Sequence, residues 1–264
     1  MIPNILSIAG SDPSGGAGIQ ADIKSISANG GYAMAAITAL TAQNTRGVQA
    51  VRLMDADIIT AQIAALREDI RIDAVKIGML GGAVLINAVV DALAGLDAPI
   101  VLDPVMVAKG GDRLLESDAV NALRSLLLPK AALITPNLPE AADLLGCAEA
   151  LNLDEMTRQA DQLLGLGAQA VLLKGGHLDS DASPDLLVWH DGREWLHGAR
   201  IDTVRTHGTG CTLSSAIAAH LGAGLPLLEA VQRGKKYITE AIAAAHLLDV
   251  GHGHGPTHHF YHWQ

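Results

Sequence analysis

Short apolar runs alternate with helical patterns along most of this chain, and that alternation limits the fold more than any other feature. Runs rich in Val, Ile, Leu and Ala lie near 4–9, 33–38, 73–78, 99–103, 131–135 and 169–174, each bounded by Gly, Pro, Asp or Asn. They read as buried strands. Helical patterns fall between and after them near 17–29, 56–69, 82–94, 116–127, 138–146 and 154–166. Strand, helix and next strand close as right-handed crossovers, so the order predicts a three-layer α/β/α sandwich around a mainly parallel sheet. Residues 48–53, and the stretch 186–196 around Asp191-Gly192-Arg193, read as short antiparallel strands that extend one edge of that sheet. From Thr209 two long helices are expected to end near Leu248, before a tail of Gly, His and Pro. A chain of 264 residues can bury one large core, and residues 1–264 are expected to form a single domain.

Composition narrows the ligand. The formal charge is −10 and the 18 basic residues are scattered, whereas a nucleic-acid partner needs a clustered basic surface. One Phe, three Tyr and three Trp leave few platforms on which bases could stack. Every long apolar stretch has a polar interruption, so no membrane span is expected. The opening Ile2–Ala9 reads as a strand and not as an export signal. With only Cys147 and Cys211 no disulfide framework is available, and the cytoplasm is the expected compartment. Small molecules are the expected ligands.

Thr206-His207-Gly208-Thr209-Gly210-Cys211-Thr212 sets two glycines and a thiol where a helix begins. The unpaired amides of a first helical turn and the positive end of the helix dipole favour a phosphate or a developing oxyanion. A helix start also lowers a thiol pKa, so Cys211 reads as a base or nucleophile. The plainer alternative is a well-packed helix-start residue beside a glycine turn.

In open sheets of this kind ligands collect beyond the carboxyl ends of the strands. That rule groups Asp12, Gln43, Met79, Asp103, Asn137, Glu140 and Lys174 around one crevice with the Gly208–Cys211 turn. Asn137-Leu138-Pro139-Glu140 can be a plain helix cap. Joined by Asp103, the same residues can hold Mg²⁺ through oxygen and water. Lys174, followed by Gly175-Gly176, can meet a phosphate as a point charge. Gly16-Ala17-Gly18-Ile19-Gln20-Ala21 fits a dinucleotide fingerprint only on paper, because no acidic residue ends the second strand. No Walker loop is present. The five tail histidines, His252, His254, His258, His259 and His262, read as a packed structural tail in preference to a zinc site.

Taken together, Ala9–Asp22, Thr38–Thr45, Lys76–Leu80, Leu102–Met106, Thr135–Ala141 and Leu173–His177 resemble the hydroxymethylpyrimidine/phosphomethylpyrimidine kinases of thiamine biosynthesis, in the ribokinase-like superfamily. The His207–Leu213 segment and the Gly251–Phe260 tail resemble the same family, so the likeness runs nearly end to end. It implies ATP-dependent phosphorylation, with Mg²⁺, of 4-amino-5-hydroxymethyl-2-methylpyrimidine and then of its monophosphate. It also implies a homodimer. By position Gln43 would meet the aminopyrimidine edge, with Asp22, Met79 and Gly10 completing the pocket. Asn137 and Lys174 would serve the ATP phosphates, and Glu140 and Asp103 the metal. Gly208, Thr209 and Gly210 would hold the transferring group, and Cys211 would accept the substrate proton, although ribokinase proper carries Asp there. The glycines from Gly15 to Gly18 are expected to leave room for the monophosphate's phosphate.

Three other readings compete. A pyridoxal kinase uses a related scaffold, and the amide of Gln43 is the feature that discriminates, since it can both donate to and accept from an aminopyrimidine edge. His207 and Cys211 can be read as the dyad of a cysteine hydrolase or acyltransferase, with no third partner evident. A non-enzymatic ligand sensor would bind the pyrimidine without turning it over.

Overall fold

The computed structural model describes residues 1–106 and 117–263. Its main sheet is built from β1 (Asn4–Ala9), β2 (Tyr32–Ile37), β5 (Ala74–Ile77), β6 (Ile100–Leu102), β7 (Leu133–Ile134), β8 (Ala170–Lys174), β9 (Asp185–Trp189) and β10 (Gly192–Leu196). A separate hairpin pairs β3 (Ala39–Asn44) with β4 (Gly47–Leu53). The helices are α1 (Gly18–Ala28), α2 (Ala56–Asp69), α3 (Ala83–Ala92), α4 (Ser117–Ala122), α5 (Leu138–Leu145), α6 (Leu153–Leu164), α7 (Thr209–Gly222) and α8 (Leu227–Ala243). In the main sheet the strands run β10-β9-β8-β7-β6-β5-β1-β2. Pairing is parallel from β2 through β8 and antiparallel at β9 and β10.

Strand side chains alternate between two cores, as the twofold period of a strand requires. Leu6, Ile8, Val75, Ile77, Ile134 and Val171 face a large apolar layer shared with α2 to α6. Ile5, Ala74, Val101, Leu133 and Leu172 face the other side, packed on α1, α7 and α8. The expected three-layer α/β/α sandwich is therefore present. Helix α7 is rich in small buried residues, among them Ser214, Ser215, Ala216, Ala218 and Ala219, which let it lie close against β5, β6 and α1.

Helix starts follow local chemistry. Asn137 caps α5 by accepting from the Glu140 amide while Glu140 accepts from the Asn137 amide, each at 2.8 Å. Pro139 sits in the first turn, where no amide donor is needed, and Gly146 ends the helix in the left-handed region. Asn152 caps α6 in the same way, accepting from the Glu155 amide at 2.9 Å.

Two expectations need correction. The 48–53 strand does not extend the main sheet: it pairs with 39–44, because Thr38 breaks the chain between β2 and β3 and donates to the Met79 carbonyl at 2.6 Å. Only the 185–196 hairpin extends an edge. The expected helix at 116–127 is α-helical over Ser117–Ala122, then widens to a π turn at Leu123–Leu127 and tightens to a 3₁₀ turn at Leu128–Lys130, just where Pro129 falls. Its expected first residue lies outside the described residues.

Gly18 joins the two ends of this architecture. It opens α1 at φ 54°, and a Cβ there would lie 2.3 Å from the Gly10 carbonyl oxygen at the end of β1. Gly18→Ala combines a left-handed backbone with a backbone clash, so a loss of about 2–4 kcal/mol is expected. Urea unfolding monitored by circular dichroism measures it; an unchanged midpoint would show that α1 can shift freely against β1.

Candidate active site

The strand ends open into a cavity of about 960 Å³. Gly10, Asp12, Gln43, Met79, Asp103, Asn137, Glu140 and Lys174 line it, together with the whole Gly208–Cys211 turn. The sequence rule thus brings these side chains together, and only Asp22 among the expected site residues falls outside the wall. Asp22 is completely buried on α1 behind the cavity.

The reason is Lys76. This lysine lies in the apolar strand β5, on the sheet face covered by α1 and α7, and has no exposed surface. Its ammonium donates to both Asp22 carboxylate oxygens, at 2.8 and 2.9 Å. Ser7 from β1 and Ser215 from α7 donate to the same carboxylate at 2.6 and 2.8 Å. Burial alone would favour neutral Lys76, but Asp22, Cys211 and Asp103 hold it charged, above the ordinary lysine range. The expectation that Asp22 touches substrate is corrected accordingly: its oxygens accept four hydrogen bonds from three side chains of the protein, Lys76, Ser7 and Ser215. Sequence reasoning passed over Lys76, although a lone cation in Ala74-Val75-Lys76-Ile77 was a visible signal for a buried partner.

Cys211 stands in the first turn of α7, over this pair. Burial pushes its thiol up to about 11, and the carboxylates of Asp22 and Asp103 push the same way. Lys76 and a backbone hydrogen bond from Gly18 oppose them without prevailing. The expected lowering of the thiol is therefore overturned. Loss of hydration and two nearby negative charges outweigh the helix end.

Gly208 precedes α7 at φ 75°, and a Cβ on it would lie 1.8 Å from the Gly16 carbonyl oxygen. The glycine is what lets the two loops touch. A Cβ on Gly210 would come 3.2 Å from Lys174 Nζ and 3.3 Å from Asp103 Oδ2, so its bare backbone keeps the cavity open beside that pair. Of the Gly15–Gly18 segment expected to leave room for a phosphate, Ala17 and Gly18 line the cavity, and Gly15, Gly16 and Gly18 are each closely packed. Their missing side-chain positions meet Lys24, His207 with Pro256, and the Gly10 carbonyl respectively.

A second charged cluster lies at the ends of β6, β7 and β8. Lys174 Nζ is 3.2 Å from Asp103 and 3.9 Å from Glu140. Burial lowers the lysine pKa, but Asp103 and Glu140 together raise it above normal. Burial pushes Glu140 up to about 7, with Lys174 opposing and Asp103 adding repulsion. Two carboxylates beside one ammonium leave an excess of negative charge. That donor set fits Mg²⁺, which takes one or two protein carboxylates and keeps water and phosphate for its other ligands. Among the described residues no group of three or more His, Cys, Asp or Glu forms an all-protein metal cage. The helix-cap reading of Asn137 and Glu140 holds as well: both line the cavity while capping α5.

His207 is held away from hydrolase chemistry. Its Nε2 lies 2.7 Å from Asp12 Oδ2 and 3.4 Å from Gln43 Nε2. Burial raises the Asp12 pKa, but hydrogen bonds from His207 and Ser14 outweigh it and hold the carboxyl below its usual range. The tail is packed over Gly255–His259, with His252, His254 and His262 exposed: His207 donates to the Gly255 carbonyl, His258 to that of Ala241, and Tyr237 to that of His259. His259 is driven down to about 3, mainly by burial, and faces Thr212 Oγ1 at 3.1 Å.

Lys76→Met is expected to cost about 3–5 kcal/mol, because it strands Asp22 as a buried, unpaired charge. Lys76→Met combined with Asp22→Asn should recover more than half of that loss in urea unfolding. Equal losses in single and double variants would show that the lysine stem, and not the charge pair, is what α1 and α7 pack on.

With this geometry in place, comparison with known proteins is direct. The family described as Phosphomethylpyrimidine kinase matches residues 12–258. A hydroxymethylpyrimidine/phosphomethylpyrimidine kinase of Escherichia coli (strain K12) is 51% identical over 261 residues, covering 98% of each chain. Among solved structures, an ADP complex of Bacillus subtilis pyridoxal kinase superposes with a TM-score of 0.91 at 39% identity, covering 98% of each chain. A phosphomethylpyrimidine kinase from Clostridium difficile 630 gives a TM-score of 0.81 at 46% identity, covering 92% of this chain and 100% of that one.

Proposed function

Since this chain belongs to the phosphomethylpyrimidine kinase family, we propose that it moves the terminal phosphoryl group of ATP to the hydroxymethyl group of 4-amino-5-hydroxymethyl-2-methylpyrimidine, and a second one to the resulting monophosphate. The chain is a phosphotransferase of thiamine biosynthesis. The observation that carries the reading is the single cavity shared by Gln43, the Gly208–Cys211 turn and Lys174. A pyrimidine reader, an anion cradle and a phosphate-side cation thus follow one another around one space.

Phosphoryl transfer asks for in-line placement and charge neutralisation more than for covalent work by the protein. Gln43 meets the aminopyrimidine edge, with Gly10 and Met79 beside it. The amides of Gly208, Thr209 and Gly210 receive the transferring group, where the helix end favours negative charge. Lys174 and Asn137 serve the nucleotide phosphates. Asp103 and Glu140 would hold Mg²⁺, which neutralises phosphate charge when bound. Asp22 acts from behind the wall, by keeping Lys76 charged beneath Cys211.

Residues 1–264 act as one kinase domain in this reading. The exposed Leu40, Val51 and Leu53 of the β3–β4 hairpin supply apolar surface for the homodimer that the resemblance implies. Work in the cytoplasm accords with ATP use and with two free thiols, and among the described residues no helix is long and apolar enough to cross a membrane. Pyridoxal phosphorylation stands as a second reading, favoured by the likeness to the Bacillus subtilis pyridoxal kinase.

Cys211 takes the substrate hydroxyl proton. A thiol held near 11 keeps its own proton at neutral pH, so the reactive thiolate fraction rises tenfold per pH unit up to that value. ADP release with the hydroxymethylpyrimidine should therefore show log kcat climbing with a slope near one from pH 7 to 9. Cys211→Ala should lower kcat by about 10²–10⁴-fold and abolish the slope. A flat wild-type profile, or full activity in Cys211→Ala, would remove the thiol as base and leave it a packing residue.

A further inference from the structure

Gln43 sits between two side chains whose hydrogen-bonding capacity is already partly committed. On one side is His207. Asp12 Oδ1 accepts from the Ser14 amide at 2.9 Å and the Ser14 hydroxyl at 2.7 Å, and Asp12 Oδ2 accepts from the Ala17 amide at 2.8 Å. A carboxylate so surrounded by donors is ionised and can only accept, so the His207 nitrogen 2.7 Å from Oδ2 carries a hydrogen. That hydrogen is given to Asp12, so towards Gln43, 3.4 Å away, the nitrogen has no lone pair and offers at most the weak second arm of a shared hydrogen bond.

On the other side is Thr41. Its one hydroxyl hydrogen goes to the Ser11 carbonyl at 2.9 Å, which is acceptor-only. Towards Gln43, 3.3 Å away, the Thr41 oxygen can therefore only accept. The amide's nitrogen and oxygen are alike in shape, and their assignment follows from their partners. The Thr41 oxygen calls for the amide nitrogen, and the His207 N–H, which cannot accept, leaves the amide oxygen as its compatible neighbour. The amide oxygen faces His207 and the amide nitrogen faces Thr41, a half-turn about the last side-chain bond from the placement with Nε2 beside His207.

The hairpin explains why these groups meet. Thr41 and Gln43 lie two apart on β3, and a bulge between Ala42 and Gln43, where Gln49 of β4 has no partner, re-aims the Gln43 side chain. His207 comes from the loop before α7, and its ring packs where a Gly16 side chain would be. Three separate segments thus converge on one amide.

We infer that Thr41 and the Asp12–His207 pair lock the Gln43 amide in a single orientation, and so set which pattern of donors and acceptors a substrate ring must present. This rests on the reading of Gln43 as the group that meets the pyrimidine edge. With the oxygen on the His207 side, the second lone pair accepts from an exocyclic amino group placed there. With the nitrogen on the Thr41 side, the second N–H donates to the adjacent ring nitrogen. A 4-oxo pyrimidine presents the reverse pattern, a carbonyl beside a ring N–H, and the locked amide cannot turn to meet it. Thr41, His207 and Asp12 are positioning residues that act through Gln43.

Calorimetric titration without nucleotide tests this, using the 4-amino hydroxymethylpyrimidine and its 4-oxo analogue as probes. The wild type is expected to prefer the amino compound by on the order of 100-fold. Thr41→Val and His207→Phe should each narrow that preference at least tenfold, with the oxo compound binding more tightly than it does to wild type. A merely structural defect would weaken both ligands together. In the Gln43→Ala background, Thr41→Val should change the ratio no further. Thr41→Val is the conservative arm should the buried His207→Phe variant misfold. An unchanged ratio in Thr41→Val, where Gln43→Ala collapses it, overturns the lock while leaving Gln43 as the reader. A ratio unmoved by Gln43→Ala overturns the premise about Gln43 itself. Binding of neither pyrimidine by wild type overturns the kinase assignment of this site, and the lock with it.

Discussion

One buried ion pair fixes the floor of the cavity. Lys76 and Asp22 are fully out of water, and the pair draws in Ser7 and Ser215, so β1, β5, α1 and α7 are tied at one point. Removing two charges from water is costly, and the attraction between them offsets that only when the remaining hydrogen-bonding capacity is met. Here Asp22 accepts from Lys76 with both oxygens and from Ser7 and Ser215 with one each. That completeness makes the geometry rigid, and α7 begins just above it. The position of Cys211 and of the Gly208–Gly210 amides therefore depends on a charge pair with no exposed surface.

Electrostatics over that floor are unbalanced by design of the residue set. Asp103 and Glu140 share the ammonium of Lys174, while the thiol of Cys211 feels Asp22 and Asp103 as well as Lys76. Burial and carboxylates together keep Cys211 and Glu140 in their protonated forms more than either would be in water. A bound cation and a nucleotide would alter this balance, since the local charge of such ions exceeds that of any side chain nearby.

Much of this was legible in the sequence, for a definite reason. Strands buried on both faces give continuous apolar runs, and the residue after each run marks the sheet's carboxyl edge; Asp103, Asn137 and Lys174 were found that way. What escaped was set by contacts between distant segments. Thr38-Ala39-Leu40-Thr41-Ala42-Gln43 carries the composition of a strand but not the break at Thr38 that turns it into a separate hairpin. Asp22 and Lys76 are 54 residues apart, so their pairing has no local signature. The Cys211 shift was misjudged because helix position is readable from sequence whereas burial and the nearness of Asp103 are not. The same holds for the packing of Gly16: its spacing in the chain does not reveal that a Cβ there would meet His207 and Pro256.

The central claim is that this cavity phosphorylates an aminopyrimidine alcohol twice. Mass analysis of the products formed from ATP and Mg²⁺ with the hydroxymethylpyrimidine, its monophosphate and pyridoxal, in parallel, tests it most directly. The account predicts sequential addition of one and then two phosphoryl groups to the first, one to the second, and much slower conversion of pyridoxal. Phosphorylation of pyridoxal alone would contradict it, leaving the fold and the phosphate side of the site intact and the reading of the Gln43 side wrong.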